Sequence, residues 1–202
     1  MQKILEKRER KLGVKLSIKG ERCNGPKCAL IRKPAGMVRG KRMSKITEFG
    51  GQLREKQKLR FSYGLTDKQL KDIFQYASAQ AEETPKVIMA ELESRLDNIV
   101  YRLGFTAARS TSRKMVSHGH FTVNGRKVTI PSFKVTPGDV IGVRPESKDQ
   151  LHFQNLKEKV KEYVVPGWLK MDIEKMEGKV VEYPHDVDAP FDIGLVVDYY
   201  LR

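Results

Sequence analysis

The feature of this sequence that most constrains its fold is a change of hydrophobic period around residues 94–143. Apolar residues recur every three or four positions from Ile88 to Leu103, which is the pattern of a helix that buries one face. Further along, Phe121 and Val123 flank a polar residue, as in a strand with one buried side. Two helices followed by short antiparallel strands are therefore predicted, which make a small α+β unit.

Turn-forming residues divide this stretch into elements. Gly104 is expected to end the first helix, and Gly119 to end a second, shorter one. The second helix carries Arg109 and Arg113 one turn apart, on the same face. Asn-Gly at 124–125 is typical of a type I′ hairpin turn, because both residues tolerate positive φ. Strands are predicted beside this turn and after a type II turn at 136–139, with apolar positions at Phe121, Val123, Val128, Ile130, Val140, Ile141 and Val143.

Basic side chains cluster on the short helix and the hairpin. Residues 93–145 contain nine Lys and Arg against three acidic residues, a net charge of +6. One face of this unit is therefore suited to a phosphate backbone. The alternative interpretation is a solvated basic face without a ligand. The candidate RNA-binding residues in this stretch are Arg109, Arg113, Lys114, His118, His120, Arg126 and Lys127.

This stretch resembles the RNA-binding domain named after small-subunit ribosomal protein four, in the segments RLDNIVYRLGF and AARSTSRKMVSHGHFTVNGRKVTIPSFKVTPGDVI. The same domain occurs in some pseudouridine synthases, in tyrosyl-tRNA synthetases and in a heat-shock RNA-binding protein, so alone it implies only binding to structured RNA. The flanking segments are similar to the ribosomal protein family itself, of bacterial or organellar type. These segments are FGGQLREKQKLRFSYGL, VPGWLKMDIEKMEGK and GLVVDYYLR.

The charge of the whole chain is concentrated at its start. The net charge is +14 over 202 residues, and the first 60 residues account for all of it, with 19 Lys and Arg against five acidic residues. Such asymmetry fits an arm threaded along a polyanion better than a globular enzyme. No stretch has the length of a transmembrane span or the apolar run of a secretory signal. A cytoplasmic or organellar protein is therefore expected, with no membrane partner and no small-molecule substrate.

Three regions are expected along the chain. Residues 1–45 are predicted to be an irregular basic arm, because turn-forming residues interrupt a stretch with little apolar material. Residues 46–92 are predicted to form a small all-α domain. Residues 93–167 are predicted to form the α+β RNA-binding domain, with two helices packed on a small antiparallel sheet. The resemblance implies that the C-terminal segment, residues 168–202, packs back on the helical domain.

Local signals predict several further elements. Thr66 and Gln69 have the spacing of a capping box at the start of one helix, and Thr84, followed by proline, starts the next. A helix over residues 149–165 is expected, with Trp168 beyond it as a core anchor. The tail segments KVVEYP and GLVVDYYLR are interpreted as short strands or extended chain.

The two cysteines, Cys23 and Cys28, are weak candidates for a metal site. The resemblance implies that members of the family often hold a structural zinc through four cysteines, the last two spaced as these are. The positions that match the first two hold Glu6 and Glu9, and a structural zinc site wants four Cys or His ligands. No cofactor is therefore expected, and two small buried thiols are favoured over zinc.

An enzymatic function is not expected. A pseudouridine synthase with this RNA-binding domain needs a further large α/β catalytic domain, for which residues 146–202 are too few. No metalloprotease helix or nucleophile elbow occurs. A binding function explains more of the sequence, including basic residues of the arm and the helical domain. These further candidate RNA-binding residues are Arg39, Lys41, Arg42, Arg54, Lys56 and Arg60.

The resemblance also implies a particular RNA and particular neighbours. The RNA is the 5′ domain of 16S rRNA, which is bound early in assembly of the small ribosomal subunit. The neighbours are small-subunit ribosomal protein five, at an interface that influences decoding accuracy, and the channel through which mRNA enters. The alternative is a free RNA-binding translational repressor, whereas the long basic arm argues against a heat-shock-type module.

The short helix departs from the family pattern at its start. Ala108 stands where a capping Ser or Thr is common, and Ser112 stands where Ala is common. Loss of a capping side chain is expected to make this helix less stable in isolation by about 1 kcal/mol.

Overall fold

The computed structural model is α+β, as predicted, and divides into two compact units. One unit is formed within residues 1–88 and 188–202, and the other within residues 89–187. The residues that the structure describes are 8–16, 25–26, 28–32, 47–150, 153, 163–185 and 187–201. The predictions that fall outside these residues concern most of the arm, Cys23, Arg39, Lys41, Arg42 and most of the helix at 149–165.

The first unit is helical in the part that is described. Residues 8–12, within the arm that was predicted to be irregular, are helical. The other helices of the unit are α1 (Ala29–Arg32), α2 (Glu48–Ser62) and α3 (Asp67–Ser78), and the start of α4 (Thr84–Glu93). The predicted capping box of α3 is confirmed. The Gln69 N–H donates to Thr66 Oγ1 at 3.2 Å, and the Thr66 N–H donates to Gln69 Oε1 at 3.0 Å. Two backbone donors that the helix itself leaves unpaired are thereby satisfied.

The tail is a helix over Ile193–Leu201, so the prediction of short strands or extended chain for GLVVDYYLR is wrong. Helix α8 (Ile193–Leu201) begins beside Asp192, whose Oδ1 accepts a hydrogen bond from the Gly194 N–H at 2.8 Å. The helix packs on α2 and α3, and the Tyr200 ring stacks on Phe74 with 4.6 Å between centroids. A short apolar run has no period that separates the two states. Burial against two helices distant in sequence decides between them.

The single helix predicted up to Gly104 is in fact two helices. Helix α4 ends at Glu93 and α5 covers Leu96–Arg102. Between them the Arg95 backbone is extended (φ −69°, ψ 137°) and forms an antiparallel bridge with Lys134. The Leu96 N–H donates to the carbonyl of Phe133 at 2.9 Å. The helix breaks because the loop that contains Phe133 and Lys134 supplies backbone partners at this point. The spacing of apolar residues in the sequence cannot predict such a contact.

The second unit contains two more helices and all the described strands. The helices are α6 (Arg109–Ser117) and α7 (Pro145–Lys148). The strands are β1 (Phe121–Val123), β2 (Arg126–Lys127), β3 (Val140–Val143), β4 (Leu169–Asp172) and β5 (Glu177–Val180). They form one antiparallel sheet in the order β2-β1-β3-β5-β4.

The turns of this unit follow the sequence predictions. Positive φ angles of 50° at Asn124 and 76° at Gly125 confirm the hairpin turn. Gly104 and Gly119, at φ 81° and 76°, end α5 and α6. The strand after the hairpin is shorter than predicted, because the chain leaves the sheet after Lys127 and the later position Ile130 is 57% exposed.

Strands β4 and β5 correct the expected position of the C-terminal segment. Residues 168–187 belong to the unit of the sheet and not to the helical unit. Strand β3 pairs with β1 along one edge. Its other edge would leave backbone donors and acceptors without partners if no strand lay beside it. Strand β5 fills that edge, with Ile141 opposite Gly178. The segment that contains α8, residues 188–202, belongs to the helical unit.

The core of the second unit lies between the helices and one face of the sheet. Trp168 is 2% exposed and belongs to this core, which confirms its predicted role as an anchor. Gly178 on β5 lies so close to α5 that a Cβ there would collide with the side chain of Leu103. The buried members from α5, α6 and the sheet include Leu96, Ile99, Val100, Met115, Val116, Phe121, Val123, Ile141, Val143, Leu169 and Val180. This packing holds α6 and the hairpin in fixed positions.

Candidate nucleic-acid interface

Arg109, a predicted RNA-binding residue, is part of a buried polar network. Its Nε donates to Asn98 Oδ1 at 2.7 Å, and its Nη2 lies 3.7 Å from Glu93 Oε1. Its guanidinium also stacks on the ring of Tyr101, with 4.6 Å from Cζ to the ring centroid. The structure therefore places much of the Arg109 side chain toward the protein interior, at 19% exposure.

Glu93 is the centre of this network. Its carboxylate is fully buried and accepts two hydrogen bonds from Arg102, from Nε at 2.9 Å and from Nη2 at 2.8 Å. The Asn98 amide donates a third at 2.7 Å. A buried carboxylate is tolerated only when it is paired and hydrogen-bonded in this way. We call Glu93, Asn98, Arg102 and Arg109 the Glu93 network.

A second buried ion pair lies close to the helix break. Arg95 and Asp97, 8% and 5% exposed, form a two-bond pair, from Nε to Oδ1 at 3.1 Å and from Nη2 to Oδ2 at 2.9 Å. The positive charge of Arg95 is thus neutralised inside the protein. Together with the Glu93 network, this pair accounts for several of the basic residues that the sequence pattern assigns to the unit.

The remaining predicted RNA-binding residues of this unit lie on α6, at its C-cap and on β2. Lys114 on α6 and the C-cap residue His118 are exposed and lie one turn apart, while Arg113 on α6 is half-buried. Arg126 and Lys127 on β2 are exposed. The Lys127 side chain lies over Gly119, in the space that a Cβ would occupy, which brings β2 to the end of α6. We call this set the outer basic surface: Arg113, Lys114, His118, Arg126 and Lys127.

His120 belongs to the edge of this surface and not to its exposed part. It is half-buried, and its Nδ1 lies 3.0 Å from Ser147 Oγ on α7. Its ring packs edge-on against Phe153, with 6.3 Å between centroids. These contacts place the side chain at the junction between β1 and α7.

The uncapped start of α6 is supported by other hydroxyl groups. Ala108 has the extended backbone of an N-cap residue but no capping side chain. Thr106 Oγ1 lies 2.5 Å from Ser112 Oγ and donates to the Ala108 carbonyl at 3.2 Å. The two departures from the family pattern thus belong together, because the hydroxyl at Ser112 has a buried partner at Thr106.

Two of the predicted RNA-binding residues of the helical unit make contacts within that unit. Lys56 Nζ lies 3.3 Å from both the Tyr199 hydroxyl and Asp67 Oδ1, and 4.5 Å from the centroid of the Tyr199 ring. Arg54 Nη2 donates to the Leu12 carbonyl at 3.5 Å. Both side chains are therefore at least partly engaged in holding α2 against other segments of the unit.

Arg60, the third residue of that group, pairs with Asp67 and lies over the ring of Phe61 at 4.5 Å. Burial and the neighbouring positive charge of Arg8 lower the pKa of Arg60. Nearby, burial and then Tyr199 raise the pKa of Tyr200 to about 12. The described part of the helical unit thus places these cations among aromatic rings and a carboxylate.

A metal site finds no support within the described ranges. Cys28 is 2% exposed and is a free thiol. The residues with described positions contain no group of three or more His, Cys, Asp or Glu side chains that could hold a metal ion. In the same residues, no helix has the length and apolar character needed to cross a membrane.

The residues that sequence reasoning missed are the acceptors of the Glu93 network. Glu93 and Asn98 stand at the end of one helix and within the next, and their partner Arg109 follows a further turn. The only local signal is the spacing of four between Asn98 and Arg102, which puts both on one face of α5. Helices α4, α5 and α6 meet at the Glu93 carboxylate, and no spacing of residues in the sequence predicts that contact.

The family model for the S4 domain matches residues 94–141, within the unit where two helices pack on an antiparallel sheet and exposed cations lie on α6 and β2. This part of the chain is therefore an RNA-binding domain of the S4 class. The model for the ribosomal protein S4/S9 N-terminal domain matches residues 4–93. The chain is 46% identical over 198 residues to small ribosomal subunit protein uS4 of Thermus thermophilus, covering 96% of this chain and 94% of that protein. The uS4 protein of Kosmotoga olearia is 42% identical over 196 residues, with the same coverage of both chains.

The chain therefore belongs to the uS4 family, whose members are structural and non-enzymatic proteins of the small ribosomal subunit. This membership agrees with the resemblance seen in the sequence and with the absence of any recognised catalytic motif there.

Proposed function

We propose that this protein binds the 5′ domain of 16S rRNA through the outer basic surface and helps to nucleate assembly of the small subunit. The observation that supports this proposal is the arrangement of exposed cations on two elements, α6 and β2, that a single core holds in place. A fixed positive surface can match the phosphates of a folded RNA without first paying the entropy of ordering.

The mode of recognition is contact with phosphates and 2′-hydroxyl groups. Lys and Arg side chains dominate the outer basic surface, and such side chains bind phosphate oxygens without reading sequence. Double-helical RNA offers mainly backbone and 2′-hydroxyl groups to a protein. The protein is therefore expected to recognise the shape of a helix junction, with an affinity that falls steeply with salt.

The wider setting that we propose comes from the family resemblance alone. The protein acts in the cytoplasm on the small subunit, contacts small-subunit ribosomal protein five, influences decoding accuracy, and lies beside the channel through which mRNA enters. Sedimentation separates this role from that of a free translational repressor. One copy on each small subunit supports the structural role, whereas a wholly free pool supports the repressor.

The direct experiment measures binding of the full chain to a transcript of the 5′ domain in filter assays at several salt concentrations. We expect the variants Arg113→Gln/Lys114→Gln and Arg126→Gln/Lys127→Gln each to lose affinity and to flatten the salt dependence. Each phosphate contact that is lost should lower the slope by about 0.7 to 0.9. Circular dichroism should show that both variants keep the fold, since Lys114, Arg126 and Lys127 are exposed and Arg113 is only half-buried.

The matched control is Lys86→Gln, which removes a charge at a 75%-exposed side chain that pairs with Glu83 at 3.1 Å. This control should bind the transcript like the parent protein. Reversing the charge of Arg109 is a poor test, because that residue supports the Glu93 network. A flat salt response of the parent protein, or unchanged affinity in both double variants, would contradict the proposed function.

A further inference from the structure

The sheet of the second unit has one face toward the core and one toward solvent. Phe121, Val123 and Ile141 are buried on the core side. Residues directly opposite each other in antiparallel strands share a side, and alternate residues point to opposite sides. The register therefore places Lys127, from the outer basic surface, on the solvent side together with Thr122 of β1.

Two more lysines lie on this solvent side, at the other end of the sheet. Lys170 on β4 is directly opposite Lys179 on β5, and both side chains are exposed. Side chains in such a pair have Cβ atoms about 5 Å apart, and like charges placed there destabilise the sheet. Neither ammonium group has a hydrogen bond or ion pair with another described residue.

Among the described residues, the acidic side chains of the same hairpin form no ion pair with either lysine. Asp172 Oδ1 accepts from the N–H groups of Glu174 and Lys175, both at 3.1 Å, and so it closes the turn. Glu177 is opposite Asp172, and its Cγ lies 3.4 Å from where a Cβ on Gly142 would be. Asp172 and Glu177 therefore share the solvent side with the lysine pair but lie two residues nearer the turn, and the lysine pair lies toward the open end of the hairpin.

Protection of an exposed edge explains only half of the pair. Lysine is common on edge strands because its charge prevents pairing with another chain. That reason applies to Lys170, since β4 is an edge of the sheet. It does not apply to Lys179, because β5 lies between β3 and β4. An anion that both ammonium groups can reach would offset the repulsion between Lys170 and Lys179.

We propose that Lys170 and Lys179 form a phosphate-binding site for the RNA backbone, on the same solvent side of the sheet as Lys127 of the outer basic surface. Lys127 on β2 and Lys170 on β4 are at opposite edges of five strands, about 19 Å apart across the strands at about 4.8 Å per strand. The register places the lysine pair two residues along the strands from the row that contains Lys127. A single RNA segment can cross that distance. This site deepens the proposed function and rests on it, because its ligand is a phosphodiester group of the same RNA.

The test compares two hairpin variants of the full chain in binding to the 5′-domain transcript. Lys170→Gln/Lys179→Gln should lower affinity about tenfold near 0.1 M salt and reduce the slope of log affinity against log salt by about 0.7 to 0.9 per contact. Its thermal midpoint should stay level or rise, because a like-charge pair is removed. Lys175→Gln is the control, since that side chain is on the same hairpin, 72% exposed and 3.9 Å from Asp172.

Three results would overturn this site. The first is unchanged affinity and slope in Lys170→Gln/Lys179→Gln while Arg113→Gln/Lys114→Gln is impaired, which leaves the proposed function standing. The second is that inorganic phosphate stabilises the parent protein but not Lys170→Gln/Lys179→Gln, while the two proteins bind the transcript equally well. That result would assign the lysine pair to a free anion. The third is normal transcript binding with loss of the variant from small subunits, which assigns the pair to an acidic protein neighbour. If Arg113→Gln/Lys114→Gln and Arg126→Gln/Lys127→Gln both bind the transcript like the parent protein, the proposed function itself fails.

Discussion

The Glu93 network and the outer basic surface both contain arginine side chains, but they differ in whether a buried acidic partner neutralises the charge. In the network, a fully buried carboxylate receives Arg102 and Arg109. On the surface, Lys114, Arg126 and Lys127 are exposed. The position of one buried acid therefore separates cations that hold the fold from cations that can meet a ligand.

Helix α6 shows this difference within a single turn. Arg109 and Arg113 share a helical face by spacing, yet Arg109 is bound to Asn98 at the start of the helix. Arg113 follows one turn later, next to the exposed Lys114. The network thus fixes the beginning of the helix that presents the outer basic surface. Counting basic residues in the sequence overstates the number of exposed cations, because it includes those with buried acidic partners.

The largest expected effect comes from removing the buried acid Glu93, which tests whether the Glu93 network holds the fold. Glu93→Ala leaves Arg102 and Arg109 without a counterion, and we expect the free energy of unfolding to fall by about 3 to 5 kcal/mol. Urea denaturation followed by circular dichroism measures this. The control is Glu91→Gln, which breaks a pair with Lys134 in which the lysine is 52% exposed. Loss of that pair should change stability by less than about 1 kcal/mol. Equal effects of the two variants would mean that the Glu93 network does not anchor the fold.

A second prediction sharpens the contrast between inward and outward positions on the sheet. Gly178 and Gly142 are on adjacent strands, but a Cβ at Gly178 would collide with Leu103, whereas one at Gly142 would lie 3.3 Å from Thr122 Oγ1. We expect Gly178→Ala to lower stability by about 1 to 3 kcal/mol through overpacking. Thermal unfolding of Gly142→Ala provides the control, with a smaller loss because Thr122 can move toward solvent. A larger loss at Gly142 would reverse the assignment of the two faces.

Local signals in the sequence predicted much of the structure. The capping box at Thr66, the hairpin turn at Asn124 and the helix stops at Gly104 and Gly119 all depend on neighbouring residues. The core role of Trp168 followed from its size and apolar character. These features could be predicted because their physical causes lie within a few positions along the chain.

The features that were missed depend on residues far apart in sequence. The break at Arg95 comes from pairing with Lys134, and the helical state of α8 comes from packing on α2 and α3. Strand β5 joins β3 because an open edge was available. The candidate interface follows the same rule: the exposed cations were found from charge, whereas the inward position of Arg109 required Glu93.

The smallest expected effect is the acid sensitivity of the hairpin of β1 and β2, which carries part of the outer basic surface. Asp139 joins the turn before β3 to the hairpin turn, because its carboxylate accepts from the Thr136 N–H at 2.8 Å and from the Asn124 amide at 2.7 Å. Partial burial acts to raise the pKa of Asp139, but hydrogen bonds from Thr136 and Asn124 outweigh it and hold the pKa below its ordinary value of 3.8.

A carboxyl group with a lowered pKa stabilises the folded state at any pH above its unfolded value, and this contribution disappears as the pH falls through the folded value. The difference in thermal midpoint between the parent protein and Asp139→Asn should therefore be constant above about pH 5 and shrink toward about pH 3. Subtracting the variant removes the acid response of the other carboxylates, which both proteins share. Asp172→Asn, on the hairpin of β4 and β5, gives a comparison at a second turn carboxylate. A difference for Asp139→Asn that does not change with pH would mean that the charge of Asp139 does not hold the two turns together.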